Sequence, residues 1–546
     1  MMDLKLRHFM LCLAIFATLP LALSACGGSE GGEETEPAGE APTAISVTPA
    51  SYEVDAAGGS TKLSILTPAR PAVSSDASWA SITDGPYNSE TYTKTVTLNV
   101  AENTEYTERS ATITISASGV SDVSFAVKQA AAEKSDTPVD PGTDDPESNV
   151  AWNLAAKIGL GWNMGNHMDA FYNGTWAKEK FLMPEETCWG ATPATQATFN
   201  GIKAAGFTAV RIPVTWLKMI GDAPDYTINE TWLNRVYEIV GYAEKADLYA
   251  IINTHHDENH HSIIENGVDI DTRWQDVLGA ANSSAVNETI KKEITAVWTQ
   301  IANKFKDKGE WLIFEGFNEI NDGGWGWSAA FRANPSKQCN ILNEWNQTFV
   351  DAVRATGGNN ASRWLGVPTY CANPSFVEYF TMPNDPAEKT MISVHFYDPS
   401  EYTIGDAQYS DWGHTGEAGK KASGGDEDHV NTVFKMLMRN YVNKGIPVYV
   451  GEFGCSMRDK NDSRAWAFYK YYLEYVVKAA KTYGLPAFLW DNGVQGYGKE
   501  KHGYFNHGTG SYLGNSKEVV DIMVNAMTDT SSSYTLESVY NKAPKF

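Results

Sequence analysis

Trp311-Leu312-Ile313-Phe314-Glu315-Gly316-Phe317-Asn318-Glu319 and Val448-Tyr449-Val450-Gly451-Glu452-Phe453-Gly454 are short apolar runs that carry a carboxylate at their C-terminal end. Runs of this length with glycine nearby read as strands buried on both faces, the pattern of a parallel sheet covered by helices. Six more runs of the same kind flank them: 158–164, 208–213, 249–254, 364–367, 391–396 and 487–490. Stretches of helical period lie between the runs. Trp232, Val236, Ile239, Val240 and Ala243 share one face; Val430, Val433, Phe434, Leu437 and Tyr441 share another; Trp466, Tyr469, Leu473 and Val476 repeat the pattern, and a last helix is expected around 517–527. Eight strand–helix alternations over residues 150–546 predict an α/β fold, a (β/α)8 TIM barrel.

A barrel of this kind works at the C-terminal ends of its strands, and the polar and aromatic residues fall there. Asn163 and Asn166 end or follow the first run, Arg211 lies near the end of the second, and His255-His256-Asp257 follow the third. Asn318-Glu319 follow the fourth, His395 and Tyr397 the sixth; Glu452 ends the seventh and Trp490 the eighth. Strands four and seven lie roughly opposite each other, so Glu319 and Glu452 are expected to face across the cleft. A carboxylate after an apolar run is costly unless paired or functional. Two facing carboxylates suit glycosidic cleavage: about 5–5.5 Å between them gives retention through a covalent intermediate, and a wider gap admits water and gives inversion.

Gly206-Phe207-Thr208-Ala209-Val210-Arg211-Ile212-Pro213-Val214-Thr215-Trp216, Phe317-Asn318-Glu319 and Gly451-Glu452-Phe453-Gly454 together resemble glycoside hydrolase family 5, a clan of retaining (β/α)8 glycanases. Gly161-Trp162-Asn163-Met164-Gly165-Asn166 with Glu186-Thr187-Cys188-Trp189-Gly190 resembles its endoglucanase and xyloglucanase subfamily. The resemblance implies that Glu319 is the acid/base and Glu452 the nucleophile of an endo-β-1,4-glucanase, with xyloglucan favoured over plain cellulose, mixed-linkage glucan, mannan or xylan. Asn166, His255, His256 and His395 match the hydrogen-bonding residues around the reacting sugar, Asn318 the holder of its 2-OH, and Trp490 its floor. Ile320 departs from the family, many of whose members carry proline after the Asn-Glu pair.

Physical reasons accompany these roles. Arg211 favours the ionised form of Glu452, and the Tyr397 phenol is placed to hydrogen-bond it. Desolvation and the charge of Glu452 are expected to keep Glu319 protonated before cleavage. Glu315 reads as a group of the barrel interior. Trp189, Trp325 and Trp327 fall in loops, where stacking on sugar is expected. Six glycines between Gly493 and Gly510, before Gly514, predict a long mobile loop after the eighth strand. His256 and His260 have helical spacing but directly follow a strand and lack HExxH, so no metal and no cofactor is expected. The rival class is a surface glycan-binding protein without catalysis.

The remaining chain divides cleanly. Lys5 and Arg7 precede an apolar run from Phe9 to Ala25, too short for a comfortable membrane span, which ends in Leu23-Ser24-Ala25-Cys26. The ending resembles the lipobox of bacterial lipoproteins, which implies cleavage after residue 25 and lipid on Cys26. Residues 26–43 read as a flexible acidic tether, and the expected location is the outer membrane, exposed at the cell surface, with the membrane contacted only through the lipid. Residues 44–130 alternate as half-buried strands, at Thr95-Val96-Thr97-Leu98-Asn99-Val100 and Ala111-Thr112-Ile113-Thr114-Ile115-Ser116, and predict a small sandwich. Ile45-Ser46-Val47-Thr48-Pro49, Ala57-Gly58-Gly59-Ser60, Arg109 to Ile115 and Val127-Lys128-Gln129 resemble the immunoglobulin-like BACON domain, a module with either a spacer or a glycan-binding role. Pro138, Pro141, Pro146 and four aspartates make 131–149 a stiff, solvated linker. Lys+Arg 43 against Asp+Glu 67 gives a net charge of −24, which repels phosphate backbones and argues against nucleic acid as a partner. A β-glucan polysaccharide is the expected partner, and a tethered endo-acting monomer needs no second copy. Cys188, Cys339, Cys371 and Cys455 form no CxxC pair, which argues against a zinc ribbon.

Overall fold

A computed structural model describes residues 41–103, 108–131, 149–174, 179–405 and 408–546. The N-terminal leader, Cys26, most of the acidic tether and the proline-rich linker lie outside the described residues. The chain divides into two compact units on either side of residues 134–135.

The larger unit is a closed barrel of eight parallel strands in sequential order. They are β1 (Leu160–Met164), β2 (Ala209–Ile212), β3 (Tyr249–Asn253), β4 (Leu312–Glu315), β5 (Leu365–Pro368), β6 (Thr390–Phe396), β7 (Val448–Phe453) and β8 (Ala487–Asp491). Each overlaps its expected run. The helical faces also match: Trp232, Val236, Ile239, Val240 and Ala243 are the buried residues of Glu230–Lys245, and Trp466, Tyr469, Leu473 and Val476 are buried in Ser463–Thr482. The connection from β5 to β6 is the exception, two 3-10 segments (Tyr370–Ala372 and Pro374–Tyr379) in place of an α-helix. Pro374, Pro383 and Pro386 lie within it and interrupt helical hydrogen bonding.

Strand alternation stacks the interior in layers. Ala209, Ile251, Ile313, Met391, Tyr449 and Phe488 form one apolar cluster with Leu154 and Ile158 of the helix Val150–Ile158. Two residues further along their strands, on the same face, stand Arg211, Asn253, Glu315, Ser393, Gly451 and Trp490. An apolar plug therefore carries a polar layer on the side where the βα loops converge. Gly366 makes room within it: a Cβ there would stand 2.2 Å from the Tyr449 hydroxyl.

The stretch after β8, expected to be mobile from its glycines, is tied down at Asp491. That carboxylate accepts the backbone N–H groups of Gly493 (2.9 Å), Tyr504 (3.2 Å) and Phe505 (2.9 Å) and the Trp162 indole (2.9 Å). Tyr504 and Phe505 are fully buried, and exposure is concentrated around residues 495–500. All four barrel cysteines are free thiols.

The smaller unit is a two-sheet sandwich. One sheet runs Ser46–Thr48, Gly59–Leu66, Thr93–Val100, Ala80–Thr83, with Tyr87–Asn88 also paired to Thr93–Val100; the other runs Ser51–Val54, Val123–Gln129, Arg109–Ser116, Ala72–Ser75. Leu63, Ile65, Val96, Leu98, Ile113, Ile115, Phe125 and Val127 fill the core between them. Trp79, the one tryptophan of this unit, lies under the Arg109 guanidinium, 4.3 Å from the ring centroid.

Candidate active site

The polar layer is organised by one guanidinium. Arg211, fully buried, donates from Nε to Glu315 Oε2 (2.8 Å), from Nη1 to Glu452 Oε1 (2.8 Å) and Asn163 Oδ1 (3.0 Å), and from Nη2 to Asn318 Oδ1 (2.8 Å). One cation thus serves two buried carboxylates. Glu315 compensates its own desolvation with three further donors: Asn253 Nδ2 (2.9 Å), Ser393 Oγ (2.7 Å) and Tyr449 OH (2.7 Å). Burial works to raise its pKa, but the Arg211 charge and these hydrogen bonds prevail and hold it below the ordinary carboxylate value. Glu315 is the structural carboxylate of the interior, as the sequence suggested.

Glu452 and Glu319 are the pair at the cleft. The β6–β7 pairing shifts register between Val394 and His395, and the β7–β8 pairing between Val450 and Phe453, irregularities of the kind that re-aim side chains beside active sites. Oxygens of Glu319 and Glu452 and a ring nitrogen of His395 all lie within 4.8 Å of one another. Glu452 accepts from Arg211 on one oxygen and from the Tyr397 hydroxyl on the other (3.0 Å). Glu319 Oε1 meets His395 Nδ1 at 2.7 Å.

The proton goes to Glu319. Burial and then the Glu258 charge push its pKa up to about 7. Glu258, at the start of the loop after β3, takes the part expected of Glu452 as the leading neighbouring anion. Glu452 is also raised, chiefly by burial, but the Arg211 charge and its hydrogen bond pull it back. Of Glu319 and Glu452, only Glu452 receives a hydrogen bond from the guanidinium, so at neutral pH it is the member of the pair that ionises. Burial pushes His395 down to about 4, leaving a neutral ring. Burial and the Glu452 charge raise Tyr397 well above 10, so it remains a phenol that donates.

Other expected residues surround this pair. His255 is buried and its ring lies parallel to Trp490, centroids 6.0 Å apart and 7° between planes. Gly165 clears space for that indole, since a Cβ there would stand 2.8 Å from it. His256 packs edge-on to His255 and against Trp189, which donates its indole N–H to the Phe171 carbonyl (2.8 Å). Asn166 sits in the turn after β1 at φ 60°, with its backbone N–H on Asp169 (3.0 Å); it stands apart from the Arg211 network, where Asn163 is the partner from β1. Trp325 and Trp327 are 48% and 76% exposed on the loop that follows Glu319. Asn163, Asn253, Ser393 and Tyr449 were not assigned roles from the sequence. Their one sequence trace is a polar group inside an otherwise apolar strand. Asp169, His255 and His256 also bring possible ligand atoms within 4.8 Å of one another.

Two carboxylates facing each other above a polar barrel layer are the equipment of a glycoside hydrolase. The chain belongs to glycosyl hydrolase family 5, whose cellulase model matches residues 172–496; the N-terminal binding-domain model BACON matches residues 71–130. The chain is 37% identical over 374 residues to endoglucanase A of Paenibacillus barcinonensis, covering 66% of this chain and 86% of that one. It is 33% identical over 453 residues to a xyloglucan-specific endo-β-1,4-glucanase of Bacteroides ovatus, covering 81% and 84%. Among solved structures, a GH5-4 broad specificity endoglucanase from Bacteroides salanitronis superposes with a TM-score of 0.64 at 49% identity, covering 70% of this chain and 96% of that one.

Proposed function

We propose that this protein is a retaining endo-β-1,4-glucanase that cuts internal bonds of plant β-glucans, with xyloglucan preferred, while tethered to the bacterial outer membrane through lipid on Cys26. The observation that carries the catalytic reading is the approach of Glu319 and Glu452 to within 4.8 Å, with Arg211 hydrogen-bonded to Glu452. That spacing suits double displacement and leaves little room for an interposed water.

In the first step a Glu452 oxygen attacks the anomeric carbon. The glycosidic C–O bond breaks, and Glu319 delivers its proton to the departing oxygen. Asn318 gives its Oδ1 to Arg211, so its amide nitrogen is the group free to donate to the 2-OH. In the second step Glu319, now ionised, takes a proton from water as that water attacks the same carbon and releases Glu452. Two inversions leave a β-anomer.

The xyloglucan preference is supported by the relative from Bacteroides ovatus and by the BACON module in front of the barrel. The lipid anchor is supported by Lys5, Arg7, the apolar run and Leu23-Ser24-Ala25-Cys26. The sandwich is read as a spacer, since its only tryptophan is covered by Arg109. Reducing-sugar release by a soluble form lacking residues 1–26, on xyloglucan, carboxymethylcellulose, barley β-glucan, mannan and xylan, tests the activity. Fastest release from xyloglucan, abolished by Glu452→Ala, is expected. Equal and negligible release by both forms on every polymer would make the protein a glycan-binding lipoprotein. Membrane retention that survives Cys26→Ser would refute the anchor.

A further inference from the structure

We infer that Asn253 is a positioning residue that fixes His255 as its Nε2–H tautomer, so that the ring offers a hydrogen-bond donor, and no acceptor, to the reacting sugar. It deepens the glycanase reading and rests on it for the identity of the ligand.

The assignment follows from which groups can donate. The backbone N–H of Val214 points at Asn253 Oδ1 (3.0 Å), and a backbone amide is only a donor, so that atom is the carbonyl oxygen and the other terminus is the NH2. That NH2 has two hydrogens and two neighbours. One neighbour is Glu315 Oε2 at 2.9 Å, on a carboxylate that also accepts from Arg211, Ser393 and Tyr449. The other is His255 Nδ1 at 3.2 Å. Facing an N–H, Nδ1 presents its lone pair, which leaves the ring proton on Nε2. A doubly protonated ring would set N–H against N–H, so the same contact opposes the imidazolium. Burial acts in the same direction: it and the nearby charges of His256 and Arg211 depress His255 well below its ordinary value.

Nε2 makes no hydrogen bond among the described residues, so it is the ring nitrogen left to meet a ligand. The ring plane is set by Trp490, parallel to it. Asn253 in turn is held at three atoms, because its backbone carbonyl accepts from the Trp216 indole (3.0 Å) as well. The chain Val214–Asn253–His255 thus transmits the polarity of a backbone amide to a donor in the cleft, and the same asparagine links it to Glu315 and, through Arg211, to Glu452.

The test is nitrogen NMR of the wild-type protein labelled at its histidine rings, with His255→Gln used to assign the His255 signals. A protonated Nε2 and an unprotonated Nδ1 at His255 between pH 5.5 and 7.5 are expected; a protonated Nδ1 overturns the inference whatever the enzyme's activity. Asn253→Asp replaces the NH2 with an acceptor and should reverse the tautomer, with kcat/KM on the polysaccharide falling by about tenfold or more. Should that variant misfold beside Glu315, Asn253→Ala removes the donor, and loss of the single-tautomer signal is then expected. An Asn253→Ala protein that keeps the wild-type nitrogen signals also refutes the role. Loss of all β-glucan activity in the wild type with the Nε2–H tautomer intact would overturn the substrate reading and leave the tautomer assignment standing.

Discussion

Replacing Arg211 with methionine removes the only guanidinium of the polar layer while keeping an apolar stem of similar length. Glu315 keeps Asn253, Ser393 and Tyr449 as donors, whereas Glu452 keeps only Tyr397. Both carboxylates are buried, and breaking a buried pair by removing one partner costs about 3–5 kcal/mol. The pH dependence has a definite sign. Without Arg211 the folded-state pKa of Glu315 moves from below to above its unfolded value, and that of Glu452, already raised, moves further up. The variant therefore regains stability below the unfolded carboxylate value by binding protons and loses it as pH rises. The deficit against wild type should therefore be larger at pH 7 than at pH 4.5. A protonated Glu452 cannot attack, and about 3 kcal/mol of lost stabilisation corresponds to at least about 100-fold in kcat/KM at pH 6. Urea denaturation of the barrel at both pH values, beside kcat/KM on xyloglucan, checks both halves. Equal deficits at the two pH values, or a kcat/KM within about tenfold of wild type, would refute the shared-cation account.

Further outcomes follow from the same site. The kcat/KM profile should be bell-shaped: activity falls as pH rises through about 7, where Glu319 gives up its proton, and falls on the acid side as Glu452 takes one up at a pKa above its ordinary value. A flat profile from pH 4 to 9 would contradict the pair. Glu319→Gln should lower kcat/KM on polysaccharide by about 100-fold or more, yet leave the first step intact on an aryl cellobioside whose dinitrophenolate departs without a proton; equal loss on both substrates would argue against the acid role. Trp327→Ala should raise KM on xyloglucan about fivefold, from loss of roughly 1 kcal/mol of stacking, with kcat on a short aryl glycoside unchanged. An unchanged KM would remove that ring from the binding cleft.

The barrel was legible because its strands are buried on both faces and so appear as unbroken apolar runs, and the helices show their inner stripes. Glu319 and Glu452 were legible for the complementary reason, as carboxylates where such runs stop. The partners of Glu315 were hidden: Arg211, Asn253, Ser393 and Tyr449 come from four different strands, and only closure of the barrel assembles them. Glu258 escaped notice as the charge acting on Glu319 because it sits in a polar stretch that reads as a solvated loop, although it is buried. The glycines after β8 misled, since glycine content signals permissive backbone and not motion; Asp491 gathers that segment through three backbone amides. The β5–β6 connection lacks an α-helix where its prolines forbid one.

The stereochemistry of the first product tests the central claim most directly. Proton NMR of xyloglucan oligosaccharide hydrolysis, recorded within the first minutes before mutarotation, should show the β-anomeric reducing-end signal rising first and the α signal following. An α-anomer appearing first would mean a single displacement by water and would exclude Glu452 as the nucleophile.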